Sequence, residues 1–127
     1  MKTLRLILGD QLNQKHSWFQ TVDDDIIYVM AEMRQETDYV KHHIQKVVAF
    51  FLAMRSFSED LSAKGHEFIY LNITDANNPQ DLEKVITKYI KETKAEKFEY
   101  QLPDEFRLDE QLKEICKNLE IETNTVD

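Results

Sequence analysis

The sequence predicts an open α/β fold, a parallel sheet of about five strands with helices on both faces. Three observations carry that expectation. Short, nearly continuous apolar runs stand near the start, the signature of strands covered on both sides. Stretches of helical period then alternate with further strand-like runs. The resulting order, β-β-α-β-α-β-α-β, puts a helix between most successive strands, which favours parallel pairing.

Thr3–Leu8 (TLRLIL) is the first expected strand, ending abruptly in Gly9-Asp10-Gln11. Gln14–Asp25 is polar and irregular, although it carries Trp18 and Phe19. Ile26–Ala31 (IIYVMA) is the second strand, rich in β-formers. From about Asp38 to Ala63, Val40, Ile44, Val47, Phe51, Met54 and Leu61 recur at three- and four-residue intervals with one longer gap, and Phe50 and Phe57 widen that face. Thr37 or Asp38 suits the start of this helix, and Lys64-Gly65 suits its end. Glu67–Asn72 reads as the third strand and TDANNP as a loop, with Pro79 near the first turn of the next helix. That helix, Asp81–Thr93, turns Leu82, Val85, Ile86, Tyr89 and Ile90 inward. Lys97–Leu102 alternates as a fourth strand. A third helix starts at Asp104-Glu105-Phe106-Arg107 and runs to about Asn118. Leu119–Thr123 is the expected fifth strand, which leaves ETNTVD with no closing element of its own.

At 127 residues the chain is one domain's worth, 1–127, and 42% hydrophobic residues are enough for a core. A formal charge of −8 disfavours holding a nucleic-acid backbone unaided, because that affinity comes from clustered cations. No apolar run approaches the roughly 20 residues of a membrane span. Nor is there a signal-peptide pattern. Cys116 is the single cysteine, which rules out an internal disulfide and a zinc or iron–sulfur site built from this chain's cysteines. A reducing, cytoplasmic setting is expected.

In open α/β sheets a ligand sits outside the carboxyl ends of the strands, where Gly9-Asp10-Gln11 falls. A glycine there permits close backbone approach or an unusual dihedral, and an ordinary turn fits the same residues. With one glycine in the loop, neither dinucleotide nor P-loop spacing can be read. If helical geometry begins near Glu36, then Glu36, Tyr39, His43, Lys46 and Phe50 form one stripe beside that crevice. An acid, a phenol, an imidazole and a ring suit a flat, hydrogen-bonding heteroaromatic ligand, while Tyr39 and Phe50 also fit a packed core. His42-His43 point about 100° apart on a helix and make a poor metal pair. No catalytic constellation is readable, and Cys116 reads as a packing residue of a late helix.

The blocks LRLILGDQLN, ETDYVKHH, VVAFFLAMRSFSEDL, ITDANN and LPDEFR occur in that order. This series resembles the N-terminal domain of the deoxyribodipyrimidine photolyase-related proteins, also called iron–sulfur bacterial cryptochromes and photolyases or prokaryotic (6-4) photolyases. The resemblance implies a Rossmann-like antenna domain, here the N-terminal piece of a protein about four times this length. It implies an antenna chromophore in this domain, typically 6,7-dimethyl-8-ribityllumazine. FAD, a cysteine-bound 4Fe–4S cluster and the DNA-lesion surface would belong to a C-terminal helical domain outside this sequence. The expected partners are the chromophore and that FAD domain, with DNA met only through the full-length protein and no membrane involved. By itself the chain would not be catalytic. Matched position by position, the resemblance implies that Gly9, Asp10 and Gln11 would lie at the chromophore pocket, that Glu36 would bond the lumazine, and that Phe50 would line the ring where relatives can carry a smaller aliphatic residue. Tyr39 and His43 join this set from the helical stripe, and Glu32 and Glu105 from the carboxyl ends of the second and fourth strands. A receiver-like signalling domain is the competing class, but Leu71-Asn72 ends the third strand where a receiver needs an aspartate. A small nucleotide enzyme is the other, and it lacks a phosphate loop.

Overall fold

Nearly continuous aliphatic runs are best accommodated where both sides of a strand are covered, and such runs form the centre of this sheet. The computed structural model describes residues 2–9, 11–32, 44–76, 78–103 and 106–126. In chain order its elements are β1 (Lys2–Leu6), β2 (Ile26–Ala31), α1 (Ile44–Ala63), β3 (Glu67–Leu71), α2 (Leu82–Thr93), β4 (Ala95–Gln101), α3 (Phe106–Asn118) and β5 (Glu122–Val126). The strands are parallel and lie in the order β3-β2-β1-β4-β5, the open Rossmann-like α/β arrangement that the alternation predicts.

Residue alternation along the strands divides the core in two. Leu4, Leu6 and Leu8 face the same way as Ile27 and Val29 and pack with α2 and α3 through Val85, Ile86, Leu112 and Ile115. Ile7, Tyr28 and Met30 face the other way, against Phe51, Met54, Phe57 and Leu61 of α1. Helices therefore cover both faces, as expected. Asp81 caps α2 by accepting a hydrogen bond from the Lys84 amide. α1 stops where Gly65 takes φ +103°, and the His66 amide turns back to the Leu61 carbonyl.

The irregular stretch after β1 is less loose than its sequence suggests. Ser17–Phe19 forms a 3₁₀ turn that buries Trp18 and Phe19. The Arg5 guanidinium sits 4.6 Å from the Trp18 ring centroid and pairs with Glu99 of β4 at 2.8 Å. The Tyr28 hydroxyl donates to the Trp18 carbonyl. These contacts hold the loop across the sheet face shared with α1.

Four strand ranges depart from expectation: β1 is Lys2–Leu6 rather than Thr3–Leu8, β3 is Glu67–Leu71 rather than Glu67–Asn72, β4 is Ala95–Gln101 rather than Lys97–Leu102, and the fifth moves furthest. The fifth strand is Glu122–Val126, not Leu119–Thr123, so the terminal ETNTV is itself an element. Leu119 and Ile121 supplied the apolar signal, but they pack against the core from the α3–β5 connection. The strand proper is an edge strand that is polar apart from Val126, which packs on the α1-side core, and its pairing with β4 holds it. The expected start of the long helix, near Asp38 with its cap at Thr37 or Asp38, lies outside the described residues.

Candidate functional site

In this strand order the chain moves outward from β1 to β2 on one side and from β4 to β5 on the other. The β1/β4 junction is therefore the topological switch point, and its carboxyl rim is the crevice where such sheets bind ligands. Gly9 and Gln11 lie on the chain leaving β1, and Gln101 is the last residue of β4.

Gly9 is needed for space. Its φ is not in the left-handed region, but a Cβ built on it would lie 2.5 Å from Cζ of Phe50 and 3.1 Å from the Met54 sulfur. The half-buried Phe50 of α1 thus sits directly on the β1 turn, which joins two of the segments that the sequence singles out.

Gln11 is occupied by the fold. Its Oε1 accepts from the Leu8 amide at 3.1 Å, and its Nε2 donates to the Gln101 carbonyl at 3.1 Å. The side chain staples the end of β1 to the end of β4 across the switch point. Gln101, which sequence reasoning did not single out, is only 7% exposed. It shares the α1 face with Lys97 and Glu99 by strand alternation, and its buried Nε2 has no hydrogen-bond partner. The other described orphan is Asp109 Oδ1, on a carboxylate whose second oxygen pairs with Lys113 at 3.1 Å.

Glu32, just beyond β2, is wholly buried, and its carboxylate is committed. Arg55 of α1 donates to both oxygens at 2.7 and 3.0 Å, the Tyr70 hydroxyl donates at 2.5 Å, and the Ile73 amide donates at 2.9 Å. The Glu32 carbonyl accepts from the side-chain amides of Asn78 and Gln80. Burial pushes the carboxyl pKa up, but the bonds from Arg55, Tyr70 and Ile73 outweigh it and hold the group below its ordinary range. The Tyr70 phenol moves upward through burial and its bond to Glu32. Glu32 thus spends its oxygens on the β2–β3 rim and the following loop. Asp10, Glu36, Tyr39, His43 and Glu105 lie outside the described residues.

An open groove of about 400 Å³ lies elsewhere, along α3 and β5, and includes Tyr100, Lys113, Cys116 and Thr125. Burial raises the Cys116 thiol pKa, so this groove holds no activated nucleophile. Among the described residues no group of His, Cys, Asp and Glu is arranged to hold a metal ion, and no helix is long and apolar enough to cross a membrane.

Fold and rim together define an open, parallel α/β domain whose candidate site is the carboxyl rim at the β1/β4 switch point. Residues 5–127 match the pattern of the deoxyribodipyrimidine photo-lyase-related protein family, and the chain belongs to that family. It is 42% identical over 80 residues to a (6-4) photolyase of Agrobacterium fabrum, an alignment covering 61% of this chain and 16% of that protein. The aligned part thus spans about a sixth of that relative's length. Among solved structures, the hypothetical protein MJ0577, published as a test case of structure-based functional assignment, superposes with a TM-score of 0.51 at 14% identity. That match covers 99% of this chain and 96% of the other, and it supports the fold alone.

Proposed function

We propose that this domain binds the antenna chromophore of a photolyase- or cryptochrome-like flavoprotein, with 6,7-dimethyl-8-ribityllumazine as its ligand. The observation that carries the reading is the seating of Phe50 on Gly9 at the switch point. It brings an aromatic wall from α1 to a polar strand rim, in a chain of the photolyase-related family. A planar heterobicycle needs such a wall together with a few fixed hydrogen-bonding groups.

Two features of the described rim support the reading. The Phe50 ring already covers Gly9, so the ligand ring would stack beside Phe50 rather than on the glycine. The buried Gln101 amide offers an unclaimed donor. Gln11 would shape the rim by holding β1 and β4 together. Asp10 and Glu36 complete the set that the resemblance implies, joined by Tyr39 and His43 from the helical stripe and Glu105 from the end of the fourth strand. When bound, the chromophore supplies light absorption and passes excitation to a flavin. The protein's task is to fix the ring's orientation and keep water from it. No proton transfer is required of the rim.

In the whole protein, FAD, a 4Fe–4S cluster and DNA contact would reside in a C-terminal domain, and the reaction would be light-driven DNA repair or blue-light signalling. A titration of the domain with the ribityllumazine, followed by absorbance and fluorescence, tests the reading. A saturable band shift at or below tens of micromolar is expected. An unchanged spectrum across that range removes it.

A further inference from the structure

Resting on the chromophore-binding reading, we infer that Gln101 is the residue that selects the ligand, through an N–H donated to an acceptor on its ring system. Three observations converge on this residue. It ends β4 at the switch point, where the strand order opens the crevice. Its side chain is more than nine-tenths buried, and the Nε2 is closed to solvent without a partner. Its carbonyl is held by the Gln11 amide, which fixes the backbone from which the orphan donor projects.

A buried donor without an acceptor is costly to the empty protein. The neighbouring rim shows that this fold can satisfy its polar groups, since the Glu32 carboxylate has donors on both oxygens. The unmatched group therefore stands where a ligand atom would complete it. An amide N–H selects an acceptor, such as a ring carbonyl oxygen or an unprotonated ring nitrogen. A planar heterobicycle with carbonyl groups, such as a lumazine, offers both. A site built around a ligand hydrogen bond rejects analogues that lack the matching atom, because its own buried group is then left unpaired.

The test measures the stability of the empty domain and its affinity for 6,7-dimethyl-8-ribityllumazine in the same variants. Gln101→Met keeps the length of the side chain and removes the donor. We expect it to melt at or above the wild-type temperature, because an unsatisfied group has gone, and to bind the lumazine about tenfold more weakly. Gln101→Glu is the second variant. It should bind poorly near neutral pH and recover affinity as the pH falls and its carboxyl becomes a donor. A Gln101→Met domain with a lowered melting temperature and unchanged affinity overturns the assignment and makes the amide an anchor for a structural water. Should Gln101→Met not fold, the pH profile of Gln101→Glu decides, and a flat profile overturns the assignment. Wild-type domain that ignores the lumazine defeats the chromophore reading itself. Wild type that binds, beside variants that bind equally well, defeats Gln101 alone.

Discussion

Two rims of one sheet, a few residues apart, treat their polar groups in opposite ways. At the β2–β3 rim, the buried Glu32 gathers donors from α1, β3 and the loop after it. At the β1–β4 rim, Gln11 satisfies backbone groups on both strands while the neighbouring Gln101 donor is left unmatched. A saturated buried network specifies architecture, because removing any member strands the others. An unsaturated one stores a cost that a bound molecule can relieve. On the proposed reading, the contrast separates residues that hold the rim from one left open to a ligand.

The largest expected effect therefore lies at the saturated β2–β3 rim. Glu32→Ala leaves the Tyr70 hydroxyl and the Ile73 amide without their acceptor, while Arg55, with a 42% exposed side chain, turns to solvent, and we expect a loss of about 2–4 kcal/mol in chemical denaturation. Glu32→Gln should cost less and should also change the acid limb. Because the folded carboxyl titrates below its ordinary value, its contribution is complete above the unfolded pKa, about 4.3, and is lost as pH falls through the folded value. The variant's stability should thus fall less steeply in acid. Equal losses from Glu32→Gln and Gln101→Met would break the comparison.

Gly9→Ala comes next. The added methyl would drive into the Phe50 ring and the Met54 sulfur, at an expected cost of about 1–3 kcal/mol by overpacking. Combining it with Phe50→Leu should recover part of that loss, because the close neighbour has been removed. A double variant no better than Gly9→Ala would show that the glycine serves something other than this contact. Gln11→Leu follows, with about 1–2 kcal/mol for the two hydrogen bonds that join β1 to β4. Its lumazine affinity should fall as well, since the Gln101 backbone loses its tether. Unchanged affinity would remove Gln11 from any positioning role.

The sheet was legible because the runs that build it, TLRLIL and IIYVMA, are nearly continuous in apolar residues, with Arg5 the one charged exception. β5 was misplaced because its pairing with β4 is what makes ETNTV a strand, and pairing across the sheet leaves no local apolar mark. The approach of Gly9 to Phe50 could be foreseen in outline, from a glycine ending one buried run and an aromatic stripe on a helix facing it. Gln101 carried no such signal. In KFEYQL it is one more polar residue of an alternating strand, and its position depends on a tether from Gln11, 90 positions away. Glu32 looked like an available acid at a strand end for the same reason, since Arg55 and Tyr70 reach it from distant elements.

The smallest effect should come from the opposite end of the sheet, and it separates stability from binding. His66, just before β3, is buried and meets the Phe19 and Tyr28 rings edge-on, at 5.7 Å in each case. Burial lowers its pKa, with Lys64 adding to that and a hydrogen bond involving the Phe19 backbone opposing it. The folded state therefore favours neutral imidazole, while the unfolded chain takes up a proton near pH 6.5. Stability should be complete above that pH and decline as pH falls from it toward the lower folded value. His66→Phe should flatten this slope in melts between neutral and mildly acidic pH. Because His66 lies at the amino ends of the strands, the same substitution should leave lumazine affinity at the carboxyl rim unchanged. A variant that lost both would show that the two ends of the sheet are energetically coupled, and the division between holding and facing residues would have to be redrawn.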